Sequence, residues 1–250
     1  MRVAMAARFY HSGSILPGDC ILEGSEAHHL AHVRRLQAGD LVVLFNGDGS
    51  DYPAVVQSIG KRVVTLNVGL PIFVNRESGV RLHVGCAMPK SDRADFLIEK
   101  LTELGVTEFT PLLTARAIVQ PKPAIVEKLQ RAVIESSKQC ARNVLMQIHP
   151  PRSLPQWLRQ PGWPTTKWIL HPGGEELAPA ADAAEIVAAI GPEGGFTDEE
   201  VANAVDAGFV CQSLGPRILR VETAAIGLAA ITSGRARPVP AAGHTASTAV

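Results

Sequence analysis

From residue 80 to about residue 232 the hydrophobic period switches repeatedly, and that switching restricts the fold more than any other feature. Leu82 to Ala87, Phe109 to Leu113, Trp168 to Leu170, Ile186 to Ile190 and Val210 to Leu214 are apolar runs of strand length. Between them lie stretches of helical period. In Arg93 to Leu104 the apolar positions 94, 97, 98, 101 and 104 make one helix face, which stops at Gly105. Ala124 to Cys140, Asp198 to Ala207 and about Glu222 to Thr232 read as further helices. Strands that alternate with helices pair in parallel, because each crossover helix carries the chain back to the edge it left. The expectation is an α/β domain over 80–234, a mostly parallel sheet covered by helices.

The first 74 residues follow another rule. Val42 to Phe45 runs into Asn46-Gly47-Asp48-Gly49, a strong turn signal, and Ala54 to Val56 and Val63 to Leu66 follow. A helical insert from Ser25 to Leu36, with Ser25 as expected N-cap, interrupts these strands. Residues 1–74 therefore read as a small β-barrel-like domain, with Asn75 to Gly79 as linker. The tail 235–250 is small, polar and proline-containing, a composition expected of disorder. The longest apolar run falls far below the roughly 20 residues of a membrane span, so no membrane is expected as a partner. Cys20, Cys86, Cys140 and Cys211 form no CxxC pair, and reduced thiols in a cytoplasmic protein are the simple reading.

Two stretches carry the chemistry. The strand Ile186 to Ile190 ends in Gly191-Pro192-Glu193-Gly194-Gly195, and a helix opens at Thr197 with Glu200 placed for a capping box. A glycine-rich loop between strand and helix presents backbone donors at the carboxyl edge of a sheet. It fits neither GxGxxG nor GxxxxGK[ST], so dinucleotide or nucleotide triphosphate binding does not follow, and a tight turn satisfies the same pattern. The second stretch, Leu214 to Ala224 (LGPRILRVETA), again carries a strand into Gly-Pro and then an apolar helix. Arg217, Arg220 and Glu222 sit there within six residues; Glu222 and Thr223 can equally cap the helix, and Arg220 can pair with Glu222.

Taken together, these stretches resemble the SPOUT methyltransferases, and more narrowly the 16S ribosomal RNA uracil-N3 methyltransferases, the RsmE family. The resemblance runs through Arg8-Phe9-Tyr10, His28-His29-Leu30 with Val33, Arg35, Gly39 and Asp40, and Lys90 to Gly105 (KSDRADFLIEKLTELG). It continues through Gln139 with Arg142, Ile190 to Phe196, and Leu214 to Ala225, in order along nearly the whole chain. Met146 stands where the family usually has proline, and Arg34 where leucine is common.

The resemblance implies a PUA-like barrel for RNA, then a trefoil-knot domain that binds S-adenosylmethionine across a homodimer interface. The implied cofactor loops are Leu170, His171 and Gly173; Ile190, Gly191, Pro192, Glu193, Gly194 and Gly195; and Leu214, Gly215, Ile218 and Leu219 with Thr223. The implied partner is 16S ribosomal RNA within the small ribosomal subunit. Methylation of uracil N3 requires an unpaired base and loss of the N3 proton. Arg217 and Arg220 are candidates to stabilise the developing anion and Glu222 to accept the proton. The rival readings are a SPOUT enzyme acting on transfer RNA or a ribose 2′-OH, and a catalytically silent RNA-binding protein.

On a helical projection of 124–142, Lys128, Arg131, Lys138 and Arg142 share one side, opposite Ile125, Leu129, Ala132 and Val133. With Arg8, Arg34, Arg35, Lys90 and Arg93, the residues Arg131, Lys138 and Arg142 are the candidate RNA contacts. A solvated charged face is the alternative. His28 and His32 lie one turn apart but lack a third ligand at convincing spacing, so no metal is expected. The 24 basic and 24 acidic residues cancel, which excludes a uniformly basic coat. The neutrality is nevertheless uneven: 153–214 carries nine acidic and two basic residues, while 76–152 carries twelve basic and eight acidic.

Overall fold

The computed structural model describes residues 6–177 and 183–233, the side chain of Ser91 excepted, so residue 234 and the tail 235–250 lie outside the described residues. The chain groups into two compact units, residues 1–77 with 128–146, and residues 78–127 with 147–250.

In the first unit β1 (Ala7–Tyr10), β2 (Gly18–Glu23), β3 (Leu41–Phe45), β4 (Ser50–Ile59), β5 (Val63–Val68) and β6 (Ile72–Phe73) form a six-stranded sheet. Its order is β1-β3-β4-β5-β2, with β6 paired to β4. Strict alternation builds it: Val64, Leu66 and Val68 are buried while Val63 and Asn67 face solvent. The inward residues join Phe9, Leu22, Leu30, Val42, Leu44 and Val56 in one core. The helical insert is shorter and less regular than the sequence suggested. Helix α1 spans Gly24–His28 with Glu23, not Ser25, at the N-cap, and His29–Val33 continue as a π-helical turn. His29 packs edge-on against Phe9.

The segment 128–146 groups with the first unit, whereas the sequence placed all of 80–234 in one domain. Buried polar contacts explain this. Asn143 Nδ2 donates to the carbonyls of Gly49 (2.9 Å) and Val74 (3.0 Å), and Arg142 makes a two-pronged pair with Glu77. These groups come from distant parts of the sequence, so local periodicity carries no trace of them.

The second unit contains β7 (Arg81–Ala87), α2 (Ser91–Glu103) and β8 (Glu108–Leu113). Helix α3 (Ile125–Cys140) begins here and passes into the first unit. Then follow β9 (Gln147–Ile148), β10 (Arg152–Ser153), α4 (Leu154–Leu158), β11 (Thr166–Glu176), β12 (Glu185–Ile190), α5 (Asp198–Asp206), β13 (Val210–Ser213) and α6 (Val221–Ser233). As expected, all pairings in this sheet are parallel, in the order β10-β8-β7-β12-β11-β13 with β9 on β8. Strands β7 and β12 are buried along nearly their whole length, as a sheet covered on both faces requires. Val187 and Ala189 pack with Leu154, Trp157 and Leu158 of α4 and Ala204 of α5, so Ala188 and Ile190 turn to the other face. Gly85 makes this packing possible, since a Cβ there would lie 2.5 Å from the Trp157 indole. The capping box is formed as expected: Thr197 Oγ1 accepts from Glu200 N–H, and Glu200 accepts from Thr197 N–H. Among the described residues, no helix is long and apolar enough to cross a membrane, and all four cysteines are free.

Candidate active site

Because β11, β12 and β13 are parallel neighbours, the loops after β12 and β13 meet the irregular stretch of β11 beyond Leu170 at one edge of the sheet. The loops enclose a cavity of about 320 Å³. Leu170 to Pro172, Ile190 to Phe196 and Gln212 to Leu219 line it, Pro216 apart, and Val221 and Ala224 of α6 close it. Glycines 191, 194, 195 and 215 keep the wall largely backbone. At Gly215 the φ of +103° lies in the left-handed region, which lets the chain turn sharply after β13.

Of the residues singled out for the cofactor, Leu170, His171, Ile190, Gly191, Pro192, Glu193, Gly194, Gly195, Leu214, Gly215, Ile218 and Leu219 all line this cavity. Gly173 and Thr223 do not; both are exposed, and Gly173 N–H donates to His171 Nδ1 (3.1 Å) in a local turn. Arg217 lines it, whereas Arg220 is exposed beside it and Glu222 lies behind it.

Glu222 stands in the first turn of α6, where the helix dipole favours a carboxylate, and is only 7% exposed. Its Oε1 lies 3.7 Å from Arg93 Nε, so its ion partner is Arg93 and not Arg220. Its Oε2 is buried and has no hydrogen-bond partner among the described residues. The N–H of Ala224 donates to the Arg220 carbonyl, so α6 starts there without a cap from the Glu222 side chain. Cys86 lies within reach of this charge: burial pushes its thiol pKa up, and the Glu222 and Glu193 carboxylates push it further.

One lining residue was invisible in the sequence. Arg116, on the loop after β8, donates through Nη1 to the carbonyls of Gly194 and Phe196, each at 3.1 Å. The adjacent Ala115 N–H donates to Glu200 Oε1 (2.8 Å). The loop after β8 thus grips the glycine loop. Nothing near Arg116 in sequence signals this, since its partners lie about 80 residues away.

The candidate RNA contacts divide sharply. Arg8 is buried and pairs with Asp51 (2.9 Å), which also takes Arg76 (2.8 Å). Burial opposes ionisation of Asp51, yet the two guanidiniums outweigh it and hold the carboxyl below its ordinary range. Arg142 is buried on Glu77, and Lys138 is held by Glu26 and Glu135. Helix α3 ends at Cys140, and Ala141 turns the chain at φ +64°, so Arg142 does not continue the projected basic stripe. Arg8, Lys138 and Arg142 are therefore structural ions, a correction to the RNA-contact reading. Arg34, Arg35, Lys90 and Arg131 remain exposed, and the Arg93 side chain is about half exposed beside Glu222.

A second polar cluster occupies the opposite edge of the same sheet. The ligand atoms of His83, Glu108 and His149 lie within 4.8 Å of one another, a donor set of metal-binding type that the sequence reading missed. His83 lies near the start of β7, Glu108 begins β8 and His149 follows β9, so only the sheet brings them together. They are already one another's partners: His149 Nε2 lies 2.7 Å and His83 Nδ1 3.4 Å from Glu108 Oε2, while Arg81 takes Oε1 at 3.3 Å. His83 also shares a hydrogen bond with Thr110 Oγ1 (2.8 Å). The contacts from His83 and then His149 hold the Glu108 carboxyl at about 2, and burial lowers the His83 pKa.

Comparison with known proteins divides the chain near residue 75 and leaves 128–146 with the second part. Residues 76–233 match the family model of the RNA methyltransferase domain, and residues 22–68 that of the RNA methyltransferase PUA domain. The ribosomal RNA small subunit methyltransferase E of Synechocystis is 32% identical over 217 residues, which cover 84% of this chain and 71% of that protein. A methyltransferase of Legionella pneumophila, solved with its cofactor SAM bound, superposes with a TM-score of 0.87 at 32% identity, covering 92% of this chain and 98% of that one. The ribosomal RNA small subunit methyltransferase E of Neisseria gonorrhoeae, bound to S-adenosylmethionine, gives 0.84 at 29% identity, covering 90% and 95%. An α/β unit with a glycine-walled cavity at its carboxyl edge, preceded by a PUA domain, thus has relatives in both sequence and structure. The chain belongs to the ribosomal RNA small subunit methyltransferase E family of RNA methyltransferases.

Proposed function

We propose that the protein methylates N3 of a uridine in 16S ribosomal RNA, with S-adenosylmethionine bound in the carboxyl-edge cavity. The carrying observation is that cavity: three separate chain segments, predominantly backbone at the glycines, converge on one space bounded by β11, β12 and β13. The lining suits the cofactor. Leu170, Ile190, Leu214 and Leu219 offer apolar walls for a base, backbone groups offer hydrogen bonds, and Glu193, Arg116 and Arg217 offer charge of both signs. When bound, the cofactor supplies an electrophilic methyl on a sulfonium.

The chain's own residues then have distinct tasks. Arg217, at the cavity, stabilises negative charge as it develops on the uracil ring, and the exposed Arg220 adds to the same field. Glu222 accepts the N3 proton, and its unpartnered buried oxygen supports this role, because an orphan acceptor is stabilised by the arrival of a donor. Arg93, 3.7 Å from its other oxygen, helps hold that carboxylate in place. These lining segments hold the reacting groups in line.

Two further features belong to this reading. A threaded, knotted C-terminal segment is supported by β13 lying beyond β11 while α6 returns to pack against α2 and β7. Homodimerisation is supported by the apolar Ile218, 78% exposed at the cavity mouth, and a cytoplasmic location follows from the ribosomal RNA substrate. The test is mass mapping of modified nucleosides in 16S ribosomal RNA from cells with and without the gene. Loss of N3-methyluridine alone is expected. Loss of a different modification, or of none, overturns the assignment.

A further inference from the structure

We propose that Gln212 reads the adenine base of the cofactor, its carboxamide accepting from the 6-amino group and donating to the ring nitrogen beside it. This rests on the reading of the carboxyl-edge cavity as the S-adenosylmethionine site and adds the side chain that selects the base. Leu170 of β11 pairs with Ile190 of β12 on one side and with Gln212 of β13 on the other, so the three side chains share one face of the sheet. Val221 and Ala224 of α6 close the cavity over them. Gln212 is 9% exposed and lines the cavity, and among the described residues its carboxamide has no hydrogen-bond partner. An amide buried in an apolar row without a partner costs the folded protein, and a ligand that answers it recovers that cost.

The position of this amide is set before a ligand arrives. Residues 171–174 leave the sheet, and β11 returns so that Glu175 also pairs with Gln212. Gly174 permits the return, since a Cβ there would lie 2.7 Å from the Gln212 backbone nitrogen. A pre-set donor and acceptor reduce the ordering cost of binding. The charges of the lining then sort the two ends of the cofactor. Arg116, Glu193 and Arg217 all lie on loops beyond the strand ends, where the charged methionine end is answered. Gln212 stands inward of them among Leu170, Ile190, Val221 and Ala224, an environment for a flat neutral ring. Adenine presents an amino donor next to a ring-nitrogen acceptor, and a carboxamide matches that pair with one acceptor and one donor. Uracil of the substrate enters from solvent to meet the methyl group, so the base that reaches this depth is the cofactor's.

The experiment is calorimetric titration of the full chain with three ligands: S-adenosylmethionine, 5′-methylthioadenosine, which lacks the amino-acid end, and the same nucleoside without its 6-amino group. Wild type is expected to hold 5′-methylthioadenosine about ten-fold more tightly than the deaminated nucleoside, since losing the amino group leaves the Gln212 acceptor unpaired. Gln212→Met keeps the length of the side chain and removes its hydrogen bonds. It is expected to weaken S-adenosylmethionine and 5′-methylthioadenosine by the same factor, about ten-fold, and to reduce the preference for the amino group to about two-fold or less. Gln212→Leu should behave alike. A loss confined to S-adenosylmethionine would place Gln212 at the methionine end and overturn the proposal, as would unchanged affinities in both variants. Equal affinity of wild type for the two nucleosides overturns it without any variant. A wild-type protein that binds none of the three ligands would instead refute the cofactor reading of the cavity itself.

Discussion

The two edges of the parallel sheet in the second unit carry similar chemical material and use it in opposite ways. At the amino edge His83, Glu108, His149 and Arg81 answer one another's charges and hydrogen bonds. At the carboxyl edge several polar groups lack such answers: backbone groups of glycines line a cavity, Arg217 is exposed, and a buried Glu222 oxygen has no partner among the described residues. Residue type alone ranks the histidine cluster as the more reactive-looking site. Satisfaction of hydrogen-bonding capacity reverses that ranking, because a group already paired with its neighbours has little to offer a ligand. The same distinction separates the cations of the first unit, where Arg8 and Arg142 are occupied while Arg34 and Arg35 are exposed with no ion pair among the described residues.

The most forceful way to break the comparison is to remove the carboxylate whose Oε2 lacks a partner. Glu222→Gln keeps the shape and abolishes proton acceptance. Turnover at saturating cofactor is expected to fall by about 10²-fold or more, the usual scale of general base catalysis. Cofactor affinity from calorimetry should stay within about two-fold, since the group takes part in proton transfer more than in binding. An unchanged rate removes Glu222 from the mechanism.

A smaller effect is expected from the clamp on the glycine loop. Arg116→Ala deletes two charge-assisted hydrogen bonds from a partly exposed side chain, so cofactor affinity should weaken by about three- to ten-fold. Arg116→Lys, which can retain one bond, should fall between. Melting temperatures close to wild type would show that the loop and not the fold was disturbed. Equal affinity in all three proteins would reduce Arg116 to a bystander.

The amino edge should respond the other way, in stability and not in activity. His149→Ala is expected to leave turnover within about two-fold while costing about 1 kcal/mol in denaturant unfolding, the scale of one hydrogen bond to a charged group that is part exposed. Acidification should act on the same cluster. Glu108 has a folded pKa held at about 2, below its ordinary 4.5. Its contribution is complete above the ordinary value and is lost as pH falls toward about 2. His83, with its pKa lowered by burial, loses stabilisation as pH drops below its ordinary 6.5. Both terms therefore predict decreasing stability on acidification, and Glu108→Gln should flatten the lower part of that curve.

Much of the fold could be read along the chain because its signals are local. The strand and helix periods after residue 80, the Thr197–Glu200 box and the two Gly-Pro loops each declare themselves within about a dozen residues. The cavity followed, since parallel strands must end at a common edge. What stayed hidden depends on contacts between distant residues. Arg116 reads as an unremarkable loop arginine until the sheet places β8 near the β12 loop. Arg8 and Arg142 read as surface cations until Asp51 and Glu77 meet them. His83, Glu108 and His149 lie 25 and 41 residues apart in sequence and only the pairing of β7, β8 and β9 assembles them. The π-helical turn at His29–Val33 was also missed, because its apolar spacing is that of an ordinary helix.

Amide hydrogen exchange with and without S-adenosylmethionine tests the central claim most directly, because it asks which edge of the sheet the cofactor covers. The account predicts slower exchange in peptides spanning 170–172, 190–196 and 212–219, with a weaker effect around 114–117, and no change at 81–83, 106–110 or 147–149. Protection centred on the amino edge, or none at saturating cofactor, would contradict it.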